Sequence, residues 1–136
     1  MPNSAHRTRL EAAQQFVMHI GHRDSERAME LLSPNVVYRV QGQHALAGVF
    51  SGREEVTRHL AKLQELTRGT LDSLKWEDWL LGADHVAALT DIRVQSGGRL
   101  YTGRHVYLVS FDPDDRIAEV VVFFEDERAV ERFFGP

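Results

Sequence analysis

The segment His44-Ala45-Leu46-Ala47-Gly48-Val49-Phe50-Ser51-Gly52-Arg53-Glu54-Glu55-Val56 changes character midway, from a turn-prone run of small residues to the opening of a helix. Ser51 and Glu54 have capping-box spacing, in which a hydroxyl and a carboxylate satisfy the first helical amides reciprocally. Beyond them Val56, His59, Leu60, Leu63 and Leu66 recur at three- and four-residue intervals, the stripe of a helix ending near Gly69. Upstream, Val36-Val37-Tyr38-Arg39-Val40 is β-branched and aromatic and reads as a strand, with Gln41 to Gly48 as the turn-rich connection. Further back, Thr8-Arg9-Leu10-Glu11 repeats the capping spacing, and Leu10, Ala13, Phe16, Val17 and Ile20 form the buried stripe of a helix from Thr8 to Ile20. Asp24 or Ser25 caps a short second helix carrying Ala28, Met29, Leu31 and Leu32, which Ser33-Pro34 ends.

Downstream the pattern becomes strand-like, punctuated at Gly82-Ala83-Asp84, Ser96-Gly97-Gly98-Arg99 and Asp112-Pro113-Asp114-Asp115. Four strands in hairpin succession follow, and Asp126 caps a final helical turn with Ala129, Val130, Phe133 and Phe134. The order predicts an α+β fold with the helices on one face of an antiparallel sheet. A two-residue Gly97-Gly98 turn pairs Asp91 with Arg104 on the outer face and sends Thr90, Ile92 and Val94 inward. A four-residue turn at Asp112 to Asp115 pairs Val122 with His105 and Val120 with Tyr107. Trp76 and Trp79, three apart on one strand, should face opposite ways.

The chain has 136 residues, the size of one domain. It has no cysteine, which excludes disulfides, zinc–thiolate sites and thiol nucleophiles and leaves chemistry to His, Asp, Glu, Tyr and Arg. A net charge of −4, with lysine at only Lys62 and Lys75, argues against a nucleic-acid partner. No apolar run has signal-peptide or membrane-span length, so no membrane association and a cytoplasmic location are expected. His19 and His22 stand three apart without a third ligand, and no metal is assigned.

The order of elements resembles the nuclear-transport-factor-2-like superfamily, and in particular its SnoaL-like branch, which contains polyketide cyclases, ketosteroid isomerases and limonene-epoxide hydrolases. Most specific is the His44–Val56 run with its small-Gly-aromatic-x-Gly-Arg pattern; Phe111-Asp112-Pro113-Asp114-Asp115-Arg116-Ile117-Ala118-Glu119 and Phe123-Phe124-Glu125-Asp126 support it. The resemblance spans nearly the whole chain as a single domain. It implies a strongly curved sheet wrapped round three N-terminal helices, a cone with an apolar pocket. It places Val120, Val122, Phe124 and Asp126 on the pocket face, which brings Tyr101, His105, Tyr107 and Val109 with them. Leu89, Val106, Leu108, Val121 and Phe123 then form an apolar outer face, expected to join a homodimer.

The resemblance also bears on chemistry. The isomerases' general-base Asp falls on Val40, their oxyanion Tyr on Phe16, their protonated Asp on Tyr107 and a pocket Phe on His59, so steroid isomerisation by that route is not expected. The cyclases use a His and an acid on the last two long strands, for which His105 and Asp126 are the candidates. Asp126 also matches a catalytic aspartate of the epoxide hydrolases, although a helix cap is the readier explanation of it. The catalytic candidates are therefore His105, Tyr107 and Asp126. The ligand-binding candidates are Phe16, Tyr38, Val40, His59, Leu63, Tyr101, Val122 and Phe124. Two readings stay open: a cofactor-free acid/base enzyme acting on an apolar polyketide-, steroid- or terpenoid-like molecule, and a non-catalytic ligand-binding or dimerisation module. Buried Tyr and His residues serve as satisfied core groups in many folds, so residue type alone does not separate them.

Overall fold

The structure is a computed structural model that describes residues 4–21, 24–68 and 72–136, with side chains described at 8–20, 24–68 and 78–136. In chain order the elements are α1 (Ser4–Gly21), α2 (Ser25–Glu30), β1 (Leu32–Val40), β2 (Gly48–Ser51), α3 (Gly52–Thr67), β3 (Asp72–Leu81), β4 (His85–Ser96), β5 (Arg99–Phe111), β6 (Ile117–Phe124) and α4 (Glu127–Phe134). One six-stranded sheet runs β2-β1-β6-β5-β4-β3. All neighbours are antiparallel except β1 and β6, so the sheet is mixed rather than purely antiparallel.

The helices cover the concave face, where Phe16, Val36, Val56, Val109, Ile117 and Val120 are almost fully buried in one core. The expected inward residues Thr90, Ile92 and Val94 are buried as well. This is the strongly curved α+β cone of the nuclear-transport-factor-2-like fold, and no described helix is long and apolar enough to cross a membrane.

Several boundaries differ from the sequence expectation for local reasons. Helix α1 begins at Ser4, so Thr8 lies inside it rather than at its N-terminus. Asp24 does cap α2, accepting from the Arg27 amide at 3.3 Å. β1 starts at Leu32, four residues early, and takes in Ser33-Pro34; its pairing with β6 is irregular between Leu32 and Val37, and an irregularity is where a strand tolerates proline. β2, between the turn-rich connection and the start of α3, escapes the sequence reading because four residues are too few for a visible alternation.

At the head of α3, Glu55 rather than Glu54 accepts from the Ser51 amide, at 3.1 Å. Gly52 starts the helix at φ +83°, where a side chain would be strained, and the Arg53 guanidinium donates to the Leu32 carbonyl through Nε at 3.0 Å and through Nη2. The Gly-Arg pair thus turns the chain and pins α3 to the start of β1. Helix α3 stops at Thr67 with Arg68 in the left-handed region; Gly69 lies outside the described residues.

The β4–β5 hairpin follows its expected register, with Gly97 and Gly98 both at positive φ and Ser96 opposite Arg99. In the last hairpin His105 pairs with Phe124 and Tyr107 with Val122, two residues away from the expected partners. The turn is longer, with the Asp112 amide bonded to the Arg116 carbonyl, and an irregularity between Ser110 and Phe111 absorbs a further β6 residue. A shift of two preserves side-chain parity, so the face assignments within β5 and β6 survived the wrong pairing, while Asp126, beyond the end of β6, did not keep its face. On β3 the pairing is irregular between Trp76 and Asp78, and the expectation that Trp76 and Trp79 face opposite ways reaches beyond the described residues. Trp79 packs against the core; the Trp76 side chain lies outside the described residues.

Candidate functional site

A small pocket with a cavity volume of about 40 Å³ opens between α3 and the concave face of the sheet. Helix α3 supplies His59 and Leu63, β1 Tyr38 and Val40, β5 His105 and Tyr107, and β6 Val122 and Phe124; Leu46 and Phe134 complete the lining. The alternation of β5 delivers its two polar groups, since residues 105 and 107 point to one face. None of the ten lining side chains is a carboxylate, ammonium or guanidinium.

The two pocket imidazoles have different surroundings. His105 is 7% exposed, its Nε2 lies 2.9 Å from Tyr101 Oη, and its ring meets Phe124 edge-on at 4.7 Å. His59 stacks on Phe50 at 4.2 Å and leans on Tyr38 at 5.4 Å, while its Nδ1 is buried without a hydrogen-bond partner among the described residues. Burial pushes both imidazoles down to about 4; positive charge on Lys62 and His44 adds to the effect at His59, and on His44 at His105. The phenols move the other way. Burial raises Tyr107 to about 12 and holds Tyr38 well above the ordinary phenol range. Near neutral pH the site therefore presents four uncharged polar groups in an apolar wall.

His44, which sequence reasoning did not single out as a site residue, is buried beside the pocket but serves its own loop. Its Nδ1 accepts from the Leu46 amide at 3.2 Å and its Nε2 donates to the Gln41 carbonyl at 2.9 Å. Both ring nitrogens are used, which fixes the loop that presents Leu46. The ring also touches Phe124 edge-on at 5.2 Å.

The expected residues divide into two groups. Tyr38, Val40, His59, Leu63, His105, Tyr107, Val122 and Phe124 meet in the pocket. Asp126, expected as a catalytic acid, does not line it: the residue is exposed and its carboxylate caps α4, accepting from the Ala129 amide at 3.1 Å. The β6 alternation ends at Phe124, and the chain turns into α4 before Asp126 reaches the inner face. Phe16 packs into the core against Tyr38 at 6.3 Å and does not line the pocket. Tyr101 stands behind the lining, between His105 and Phe133.

Leu46 and Phe134 were missed. Leu46 sits in an irregular loop with no periodicity to read, and Phe134 reaches the pocket only because α4 folds back against β5. Asp91 does face Arg104 on the outer side, with Oδ1 and Nε 3.7 Å apart. Among the described residues no three His, Asp or Glu side chains are grouped to hold a metal, and the His22 side chain lies outside them.

A curved sheet closed by helices over a small uncharged pocket defines a class, the nuclear-transport-factor-2-like cones. Within it the chain belongs to the SnoaL-like domain family, whose sequence profile matches residues 13–120. The uncharacterised protein Rv0034 of Mycobacterium tuberculosis is 32% identical over 107 residues, 78% of this chain and 80% of that one. Among solved structures, Bal32a from a soil-derived mobile gene cassette superposes with a TM-score of 0.89 at 19% identity, covering 96% of this chain and 98% of its own. An NTF2-like protein from Burkholderia xenovorans gives 0.79 at 15% identity, over 95% and 97% of the two chains. TerC, co-crystallised with polyporic acid, gives 0.82 at 18% identity, over 95% and 99%.

Proposed function

We propose that the protein is a cofactor-free acid/base enzyme of the cyclase, isomerase or hydrolase kind, acting on an uncharged, largely apolar small molecule held beside His105. The observation that carries this reading is a neutral imidazole, hydrogen-bonded from behind by Tyr101, opening on a pocket with no ionised lining group. A charged ligand entering such a pocket loses its hydration without an opposite charge in return, whereas a neutral one with a single polar face loses little. The co-crystallisation of TerC with polyporic acid supports a small-molecule ligand for a cone of this shape.

The lowered basicity shapes the mechanism. An imidazole held near 4 is a poor resting base at neutral pH, so His105 moves a proton only in concert with bond changes in the substrate. Tyr107, kept protonated by burial, hydrogen-bonds the substrate oxygen. No carboxylate assists at the lining, which separates this site from the His-plus-acid pair expected from the cyclases.

That same absence favours a second reading, a ligand-binding module without chemistry. Turnover decides between them. Small molecules extracted from the purified protein are offered back to wild type and to His105→Gln. The enzyme reading expects conversion by wild type and a loss of about 10²-fold or more in His105→Gln, the scale of a lost general acid/base. Tyr107→Phe should lose less, since it removes one hydrogen bond and keeps the packing. Equal conversion by wild type and a folded His105→Gln removes the catalytic assignment, and binding without conversion leaves the module.

A further inference from the structure

Gly103 lies inside β5, where glycine normally weakens a strand because it has nothing to pack. Its backbone does not call for glycine, since it is absent from the positive-φ positions. Space does. Residues 101, 103 and 105 share one face of β5, and a Cβ at position 103 would overlap Tyr101 Oη and stand 2.8 Å from Tyr101 Cζ. The phenol lies back along its own strand, across the gap left by Gly103, and reaches His105 Nε2 at 2.9 Å. From the far side Phe133 packs on the phenol ring at 5.6 Å.

The direction of this hydrogen bond follows from counting partners. Tyr101 is 5% exposed, and its hydroxyl has no other hydrogen-bond partner among the described residues. If Nε2 carried the proton and donated to Oη, the phenol hydrogen would be buried without an acceptor, which is costlier than the reverse arrangement. Both groups are also held in their neutral forms. Burial, then the nearby negative charge of Asp126 and the Tyr107 and Glu125 side chains, raise Tyr101 to about 12, while burial depresses His105.

We propose that Tyr101 is the positioning residue of the site: its hydroxyl, in the space Gly103 leaves open, donates to Nε2 of His105 and fixes that imidazole as the Nδ1–H tautomer. On the acid/base reading of His105 this tautomer makes the ring a donor: Nδ1 gives its proton to the substrate as the Tyr101 hydroxyl passes its own to Nε2, and the return of both restores the resting pair; the tautomer itself does not rest on that reading.

The test is ¹⁵N–¹H correlation spectroscopy of the histidine rings at neutral pH, with the His105 signals assigned by their loss in His105→Gln. Wild type should show Nδ1 protonated and Nε2 bare. In Tyr101→Phe the ratio of Nδ1–H to Nε2–H should fall about tenfold, the effect of one ordinary hydrogen bond. The titration midpoint of His105 should rise as well, because a donor to the neutral ring is lost while burial remains. Gly103→Ala should reproduce both changes by displacing the phenol. An Nε2–H ring in wild type, or an unchanged ratio in Tyr101→Phe, overturns the proposal. Should Tyr101→Phe fail to fold, the wild-type spectrum decides alone. A spectrum as expected with unimpaired turnover in His105→Gln would remove the catalytic assignment of His105 and keep the positioning role.

Discussion

His59 and His105 are buried imidazoles whose proton affinity falls on folding, and stability should register this directly. Both sit at about 4 in the native protein against an ordinary value near 6.5 in the unfolded chain. Between those values the unfolded chain binds more protons, so stability is complete above about pH 6.5 and is lost as pH falls toward 4, by up to roughly 3 kcal/mol per imidazole. Urea midpoints at pH 7 and pH 4.5 measure the loss. His59→Phe, which keeps the ring stack on Phe50 and removes the unpartnered Nδ1, should match or exceed wild type at pH 7 and lose about half the acid sensitivity. A His59→Phe protein as acid-sensitive as wild type would show that His59 is not held neutral. At this scale the family resemblance supplied the pocket face, strand parity carried it to His105 and Tyr107, and helical spacing put His59 on the inward stripe of α3. They missed the service His44 renders its loop, because that depends on backbone atoms three and two residues away.

Helix α3 brings His59 and Leu63 to the pocket wall, and its placement depends on two residues at its start. Arg53 donates twice to the Leu32 carbonyl, a charge-assisted contact tying α3 to β1. Arg53→Ala should cost about 1.5–3 kcal/mol, and Arg53→Lys should restore only part, because an ammonium does not offer the same fork. Gly52→Ala should cost about 1–2 kcal/mol through the positive φ alone. Thermal unfolding of the three variants checks both statements, and an unaffected Arg53→Ala would move the anchoring elsewhere. Elements of ten or more residues were legible, because periodicity accumulates with length. The four-residue β2, the early start of β1 and the parallel β1–β6 contact were not, since each is decided by pairing across the fold. The last hairpin is instructive: its pairing was displaced by two and its faces were right, so the pocket survived an error in the turn.

Over the whole molecule, the described helices pack on one side of the sheet, and the other side presents its own apolar rows. On that outer side Leu89, Val106 and Phe123 form a row across β4, β5 and β6, with Ala87, Leu108 and Val121 beside it. Phe123 is 40% exposed, and Leu80, opposite Ala87 on β3, is 51% exposed. The rim carries Arg104 between Asp91 and Glu125, so the apolar rows have a charged border. A second copy of the chain is the expected occupant, related by a two-fold axis that brings the rows together. Sedimentation equilibrium at micromolar concentration should give twice the chain mass, and Phe123→Asp should return the single mass; a monomeric wild type would refute the dimer. The central claim, that the uncharged pocket beside His105 is where the protein meets its small molecule, has a more direct test. It is a crystal structure of the protein with the small molecule that copurifies with it. The account predicts that molecule between α3 and the sheet, with a polar atom within hydrogen-bond reach of His105 or Tyr107. A molecule bound outside the pocket, with His105 and Tyr101 still packed against each other and nothing beside them, would contradict it.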